Sequence, residues 1–467
     1  HRQRAGEVLE ITIAGLVGIF RSGALFDERG FDVLDDLDFI DWLRQNGLSD
    51  HAAASPFLHG LYSLMFAYEG GDCRRPRVAA GQALRGCMRM FLTYRGAFFW
   101  KMQAGMGDIV FAPLYELLKR RGVRFELFHR LTAVGLSDPS ASSPHVARLD
   151  FDVQALVRDG REYAPLVDVH GLPCWPRSPD FEQLVDGERL RERGRDFDNS
   201  WDTGHEATRS LEVGRDFDLV VLAVGGGAVA GVCAEILERD ERWRRMSEAL
   251  ATVATQALQL WLRPPMSELG WARGEVTMTG FVSPFDTWAD MTHLVPAEAW
   301  PACRRPGAVA YFCNVLDERD VERCGPVDAR HPLRVRALVR GHAQRFLSNE
   351  LGRLWPRFVG AATATRELFV DGRGDTPLDA SGDPLDGQYF VGNVDPSDRY
   401  VQTLPGTTRY RISPLDRTFD NLTIAGDWTD CGLSVGCVES AVMSGLLAAH
   451  AISGLPRLDS IVGYDHP

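Results

Sequence analysis

Apolar residues fall at helical spacing through most of positions 28–100. Residues 31–43 carry such a stripe and stop at Asn46-Gly47, a helix-ending pair. Ser55-Pro56 opens a second helix through Phe66, and 88–99 is apolar and aromatic. Upstream, 11–20 is the best candidate for a membrane segment. It falls short of the ~18 apolar residues a span needs, so a buried helix is expected there. A helix at 109–121, ended by Gly122, leads into a strand over 123–129. The pattern then turns to strands. Residues 151–157 and 161–169 read as a hairpin around Asp159-Gly160, after a flexible loop at 138–145. The stretch 170–212 is irregular and charged, as in a surface insertion. Residues 217–224 form a continuous apolar run, the mark of a buried strand. Thr255–Leu262 alternates polar and apolar, which predicts a half-exposed strand of a second sheet. Further strands are expected at 276–282, 308–313 and 367–370, and a charged amphipathic helix at 329–351. A loop and short strand over 387–412 lead to a last strand at 422–425. A small-residue helix runs from near Gly436 to about Ile452.

The chain has 467 residues, enough for two or three domains or two interleaved ones. A formal net charge of −13 argues against a nucleic-acid partner. The nine cysteines form no Cys-x-x-Cys pair and have no histidine at zinc-ligand spacing. That fits a reducing compartment, so a cytoplasmic location and no metal site are expected, with peripheral membrane contact left open. The chain begins at His1, and nothing before it can be judged.

The chemistry concentrates in 419–445. A strand stops at Gly426-Asp427, a short polar loop follows, and a helix starts near Gly436. A carboxylate at a strand end accepts hydrogen bonds from ribose-like hydroxyls. A helix N-terminus behind it offers free N–H groups and partial positive charge. Together they suit a ligand with a polyol chain and an end that gains negative charge. A second candidate is Gly225–Ala230 after the strand 217–224, which has the Gly-x-Gly-x-x-Ala form of an NADP fingerprint. The next strand, however, is long delayed, whereas a true fingerprint needs an acidic or basic ribose contact about twenty residues on.

The run 419–445 resembles the C-terminal motif of the flavin-containing amine oxidase and phytoene desaturase superfamily: apolar strand, Ala-Gly-Asp-Trp-Thr, loop, then Gly-x-x-Glu-Ser-Ala-x-x-Ser-Gly. Two supporting segments are similar, Met102–Asp108 with the helix after it, and the strand ending at Val224. The resemblance implies an α/β fold, with an incomplete Rossmann-type FAD-binding domain interleaved with an α+β substrate domain. The implied division is 1–100 helical substrate-domain part, 101–136 FAD-domain segment, 137–214 hairpin and insertion, 215–238 FAD-domain segment, 239–416 substrate domain, 417–453 C-terminal FAD segment and 454–467 tail. It implies FAD as cofactor, with Gly426, Asp427, Trp428, Gly436, Cys437, Val438 and Glu439 at the flavin end. Leu131 and Val224 would lie near the adenine and at the end of the returning strand.

Several roles stay open. Trp428 packs near the flavin or only in the core. Glu439 binds the cofactor or caps its helix. Cys437 is a small residue allowing close approach or a thiol with a pKa lowered by the helix. Asp108 reads as an N-cap, and Arg409 and Arg411 as surface partners of acids or pocket residues. No catalytic side chain is singled out. The family's amine oxidases usually carry a lysine in the strand here reading Val253-Ala-Thr-Gln256. No lysine follows Lys119 in this chain, which weakens lysine-assisted amine oxidation. The covalent-flavin Ser-Gly-Gly-Cys motif is also missing, so FAD would be non-covalent. The expected activity is hydride transfer from an apolar or amphipathic small molecule, of isoprenoid or carotenoid kind, to FAD. The alternatives are a flavin amine oxidase, an NADP enzyme, or a cofactor-free fragment. The last arises because the first hundred residues hold no strand–Gly-x-Gly-x-x-Gly–helix to cradle the FAD pyrophosphate.

Overall fold

The computed structural model describes all residues except 1, 98, 141–142, 322–324, 326, 359–367, 373–382 and 465–467. The N-terminal part is helical: α1 (Arg2–Ser22), α2 (Phe39–Gln45), α3 (Pro56–Leu64) and α4 (Ala80–Met88). Asp38 caps α2 by accepting from the N–H groups of Ile40 and Asp41, and Ser55 caps α3 through Leu58. These helices share a core around Trp42, Leu58 and Tyr62 that also takes in Val253 and Val315 from later strands. The helix 11–20 thus forms within α1 and is buried on one side only: Ala14 and Ile19 pack into this core while Leu16 and Phe20 face solvent.

Next come α5 (Ala112–Arg120) and three antiparallel strands, β1 (His129–Leu136), β2 (Val146–Val153) and β3 (Ala207–Glu212), in the order β1-β2-β3. The strand expected at 123–129 lies six residues later, because Gly122 ends the helix and 123–128 remain irregular. No hairpin forms around Asp159. Both Asp159 and Gly160 sit at positive φ, and the residues before them pair with β1 and β3 instead. The loop 138–145 lies partly outside the described residues, as does the strand expected at 367–370, of which Phe369 bridges to Leu262.

The strand β4 (Val220–Leu222) is followed by α6 (Glu241–Ala249), the short β5 (Thr252–Val253) and β6 (Thr255–Leu262). Beyond it lie β7 (Thr277–Met278), β8 (Thr287–Asp290), β9 (Ala308–Val315), helix α7 (His331–Asn349), β10 (Tyr389–Asn393) and β11 (Tyr400–Val401). A five-stranded antiparallel sheet runs β10-β6-β9-β8-β7. One face packs Leu258, Leu260, Ala310 and Phe312 against Val335, Val339 and Phe346 of α7, in a core reinforced by Trp288 and Trp355. Being central, β6 is mostly buried rather than half exposed. Gln256 is on the α7 face, where its Oε1 meets His342 Nδ1 at 2.8 Å and its amide donates to Val315 O at 3.0 Å.

The chain ends with β12 (Leu422–Ile424) and α8 (Val438–Ser453). β12 pairs in parallel with β4, Leu422 opposite Val220 and Ile424 opposite Leu222. Their core collects Val134, Val146, Ile236, Trp243, Ile412 and Trp428. Among the described residues no helix is long and apolar enough to cross a membrane, and no group of three metal-ligating side chains gathers.

Candidate flavin site

All three residues of β12 are buried, and the chain leaves the core at Gly426-Asp427. Gly426 N–H donates to Ser444 Oγ at 2.7 Å, which ties the strand end to α8. Trp428 is fully buried and its indole N–H donates to Val224 O at 2.9 Å. Trp428 and Val224 therefore join β12 to β4. Of the two readings of Trp428, its complete burial fits packing in the core.

Asp427 differs. Its side chain is half-buried and receives no hydrogen bond from any other described residue. Burial pushes its carboxyl above the ordinary value, with nearby Arg411 opposing. Arg411 is itself buried. It donates to Asp427 O at 2.8 Å, Gln402 O at 3.2 Å and Thr403 Oγ1 at 3.3 Å. Arg411 thus braces the backbone under Asp427, whereas Arg409 is an exposed partner of Asp36 at 3.0 Å. The surface reading holds for Arg409 and is corrected for Arg411.

Between Asp427 and α8 the loop is held from three sides. Tyr400 OH donates to Gly436 O, and Thr403 Oγ1 to Ser434 O. Ser440 Oγ donates to Leu433 O at 2.7 Å. The third support comes from the N-terminal helices: Ser434 N–H donates to Gln82 Oε1 at 3.0 Å. The Gln82 amide in turn donates to Asp35 at 2.8 Å and Asp32 at 2.9 Å. A Cβ at Gly436 would stand 2.6 Å from Val401 O and 2.9 Å from the Tyr400 ring, so only glycine allows this approach.

Cys437 is the N-cap of α8. The N-cap side chain makes no cap hydrogen bond at the start of this 16-residue helix, which carries the positive end of its dipole. Burial pushes the Cys437 thiol up to about 11, outweighing the helix end, and its sulfur lies 3.2 Å from Ser440 Oγ. Of the two readings of Cys437, this favours the small residue that allows close approach over a thiol lowered by the helix. Val438 is exposed. The Glu439 carboxylate accepts from the Tyr94 hydroxyl. Burial raises its pKa, but that hydrogen bond and neighbouring ones bring it below the ordinary value.

Other candidates lie apart. Leu131 sits in β1 and packs against the core beneath β4. Asp108 caps nothing: its carboxylate accepts from Trp175 N–H at 3.0 Å. The Gly225–Ala230 turn leads into a four-residue helix, Val229–Val232, which breaks at Cys233 before a second short helix, Ala234–Arg239. Added Cβ atoms at Gly225 and Gly227 would come within 2.4 Å of Ser397 O and Pro396 O. Those glycines serve close packing, which leaves no open phosphate cradle.

The strand β5 pairs with β11 beside this loop, and β6 follows within two residues. The sheet face opposite α7 carries Ala257, Gln259 and Trp261 of β6, Tyr311 and Cys313 of β9, and Tyr389 of β10. Gln259 lies in register with both tyrosines. Tyr311 and Gln259 are half-buried and Tyr389 is exposed, so this face is an open, mixed aromatic and amide surface.

These residues fit the ribityl and ring end of FAD: a carboxylate that accepts no hydrogen bond from another described residue and a helix N-terminus, joined by a braced loop. No glycine-rich strand–turn–helix that could hold the pyrophosphate occurs among the described residues.

Residues 396–453 match the family model for flavin containing amine oxidoreductases. No curated protein matches the chain in sequence. Among solved structures, putrescine oxidase bound to putrescine is 11% identical, with 96% of this chain and 75% of that one covered and a TM-score of 0.48. An oxidoreductase from Methanosarcina mazei is 10% identical, with 88% and 67% covered and a TM-score of 0.47. Likenesses at this level carry no weight for function. The matched segment builds the strand end, the loop and all of α8, and over these residues the chain is similar to the flavin containing amine oxidoreductases.

Proposed function

We propose that this site takes the flavin end of non-covalently held FAD, and that the chain serves hydride transfer from an apolar or amphipathic small molecule. The observation that carries this reading is Asp427, a half-buried carboxylate that accepts no hydrogen bond from another described residue, beside the start of α8, where the N-cap side chain makes no cap hydrogen bond. Bound flavin supplies the two-electron acceptor. Asp427 accepts hydrogen bonds from the polyol hydroxyls, and the α8 N-terminus holds about half a positive charge toward an electron-rich edge. Gly436 lets the backbone come close, and the Gln82 and Tyr400 contacts keep it still. Cys437, with its thiol pKa raised and its sulfur against Ser440, supports a non-covalent attachment.

The sheet face with Ala257, Gln259, Tyr311 and Tyr389 is the substrate side in this reading. It carries no lysine or carboxylate on those strands, which favours an uncharged substrate. The chain's two lysines are engaged elsewhere, Lys101 with Glu275 at 3.0 Å and Lys119 with Glu162 at 2.9 Å. Amine oxidation is the second reading, favoured by the family-model match over 396–453. Anaerobic mixing of FAD-loaded protein with isoprenoid substrates or with primary amines separates the two. Bleaching of the visible flavin band by isoprenoids alone supports the first reading, and bleaching by amines alone replaces it with the second.

A further inference from the structure

The first helix shows an apolar seam to solvent. In α1, Leu9, Ile13, Leu16 and Phe20 are each 51–67% exposed. Their spacing of four, three and four residues is that of a heptad seam. The other side of α1, with Ala14 and Ile19, is packed into the helical core. After the turn at Gly23, Leu25 and Phe26 enlarge the patch, Phe26 being 85% exposed. The helix's two acids are drawn away from the seam. Glu7 is buried and paired with Arg4 at 2.7 Å, and Glu10 accepts from Ser49 N–H. Single exposed apolar residues are ordinary, but a contiguous, charge-free row of them marks a contact surface.

We propose that this seam docks against the same seam of a second copy of the chain, helix on helix across a two-fold axis. A helix that lies on a membrane carries Lys or Arg along its polar face, and α1 has none between Arg4 and Arg21. The net charge of −13 also opposes an anionic lipid surface. The area suits a dimer. At roughly 100 Å² or more for each of the six side chains, a copy contributes roughly 700 Å². The pair then buries roughly 1,400 Å², within the range of about 1,200–2,000 Å² for stable interfaces. Self-pairing also satisfies the geometry of an isologous contact: an antiparallel arrangement sets Leu9 opposite Phe20 and Ile13 opposite Leu16.

Sedimentation velocity over a concentration series of the 467-residue chain tests this, with circular dichroism to confirm folding. The wild-type chain is expected to be a dimer. Leu16→Lys should raise its dissociation constant at least about tenfold, and Ile13→Lys with Leu16→Lys should give a folded monomer. If the double variant loses its fold, Phe20→Ser carries the same expectation. A wild-type monomer at every concentration, or a dimer indifferent to these substitutions, would overturn the proposal. So would flotation of a monomeric wild-type chain with phosphatidylcholine–phosphatidylglycerol vesicles that the substitutions abolish, since the seam would then belong to lipid.

Discussion

Asp427 and Trp428 are neighbours with opposite tasks. The carboxylate of Asp427 stands half-buried and accepts no hydrogen bond from another described residue, and burial outweighs the pull of Arg411 on its charge. Trp428 is wholly buried and hydrogen-bonded to Val224, so the junction of β4 and β12 depends on it. Trp428→Ala should therefore cost about 3–5 kcal/mol in denaturant unfolding, whereas Asp427→Ala should leave the midpoint almost unmoved. Asp398, at the head of the matched segment, offers a pH test. Asp398 reaches solvent, yet partial desolvation first, then the nearby Asp395, Asp198 and Asp196, push its carboxyl from 3.8 to about 6. A raised folded-state pKa means stability that is fully present below 3.8 and lost as pH rises through about 6. Solvent screens this exposed carboxyl, so Asp398→Asn should raise the melting temperature by no more than about 1 °C above about pH 7, an advantage that fades as the pH falls to the ordinary aspartate value. An equal gain at both ends of that range would contradict the assignment.

At the scale of elements, the start of α8 is placed by backbone contact. Gly436→Ala forces a Cβ onto Val401 O and the Tyr400 ring, so it should displace the loop and lower both flavin affinity and thermal stability. Gly445, within the same helix, has nothing within 4 Å of an added Cβ. Gly445→Ala should leave flavin binding alone and stabilise the helix by up to about 0.8–1.0 kcal/mol, read from the unfolding midpoint. Legibility in the sequence divides along similar lines. Thr255–Leu262 and the strand from Ala308 were readable because period-two patterning and apolar runs are local signals. The strand near 129 was misplaced because its apolar residues begin before its pairing does. The four-three-four stripe of α1 reads the same whether it is buried or exposed, so the sequence alone favoured burial.

Across the whole molecule, the site draws on segments that no local pattern connects. Gln82 reaches Ser434 across 352 positions, and Tyr94 reaches Glu439 across 345. Arg411 looked like a surface cation and is a buried brace because its acceptors are carbonyls made available only by the folded loop. The Gly-Asp strand end and the small-residue helix were legible, since their function needs particular residue types close together. The helical supports around them were not, since any packed polar side chain of the right reach can serve. The central claim is that this assembly binds the flavin end of FAD through Asp427. Its most direct test is a fluorescence titration of FAD with the wild-type chain and with Asp427→Ala, both shown folded by circular dichroism. Saturable binding by the wild type, weakened about 10- to 100-fold in the variant as expected for lost charge-assisted hydrogen bonds, is the predicted result. Absence of saturable binding by the folded wild-type chain, or equal affinity in the two proteins, would contradict it.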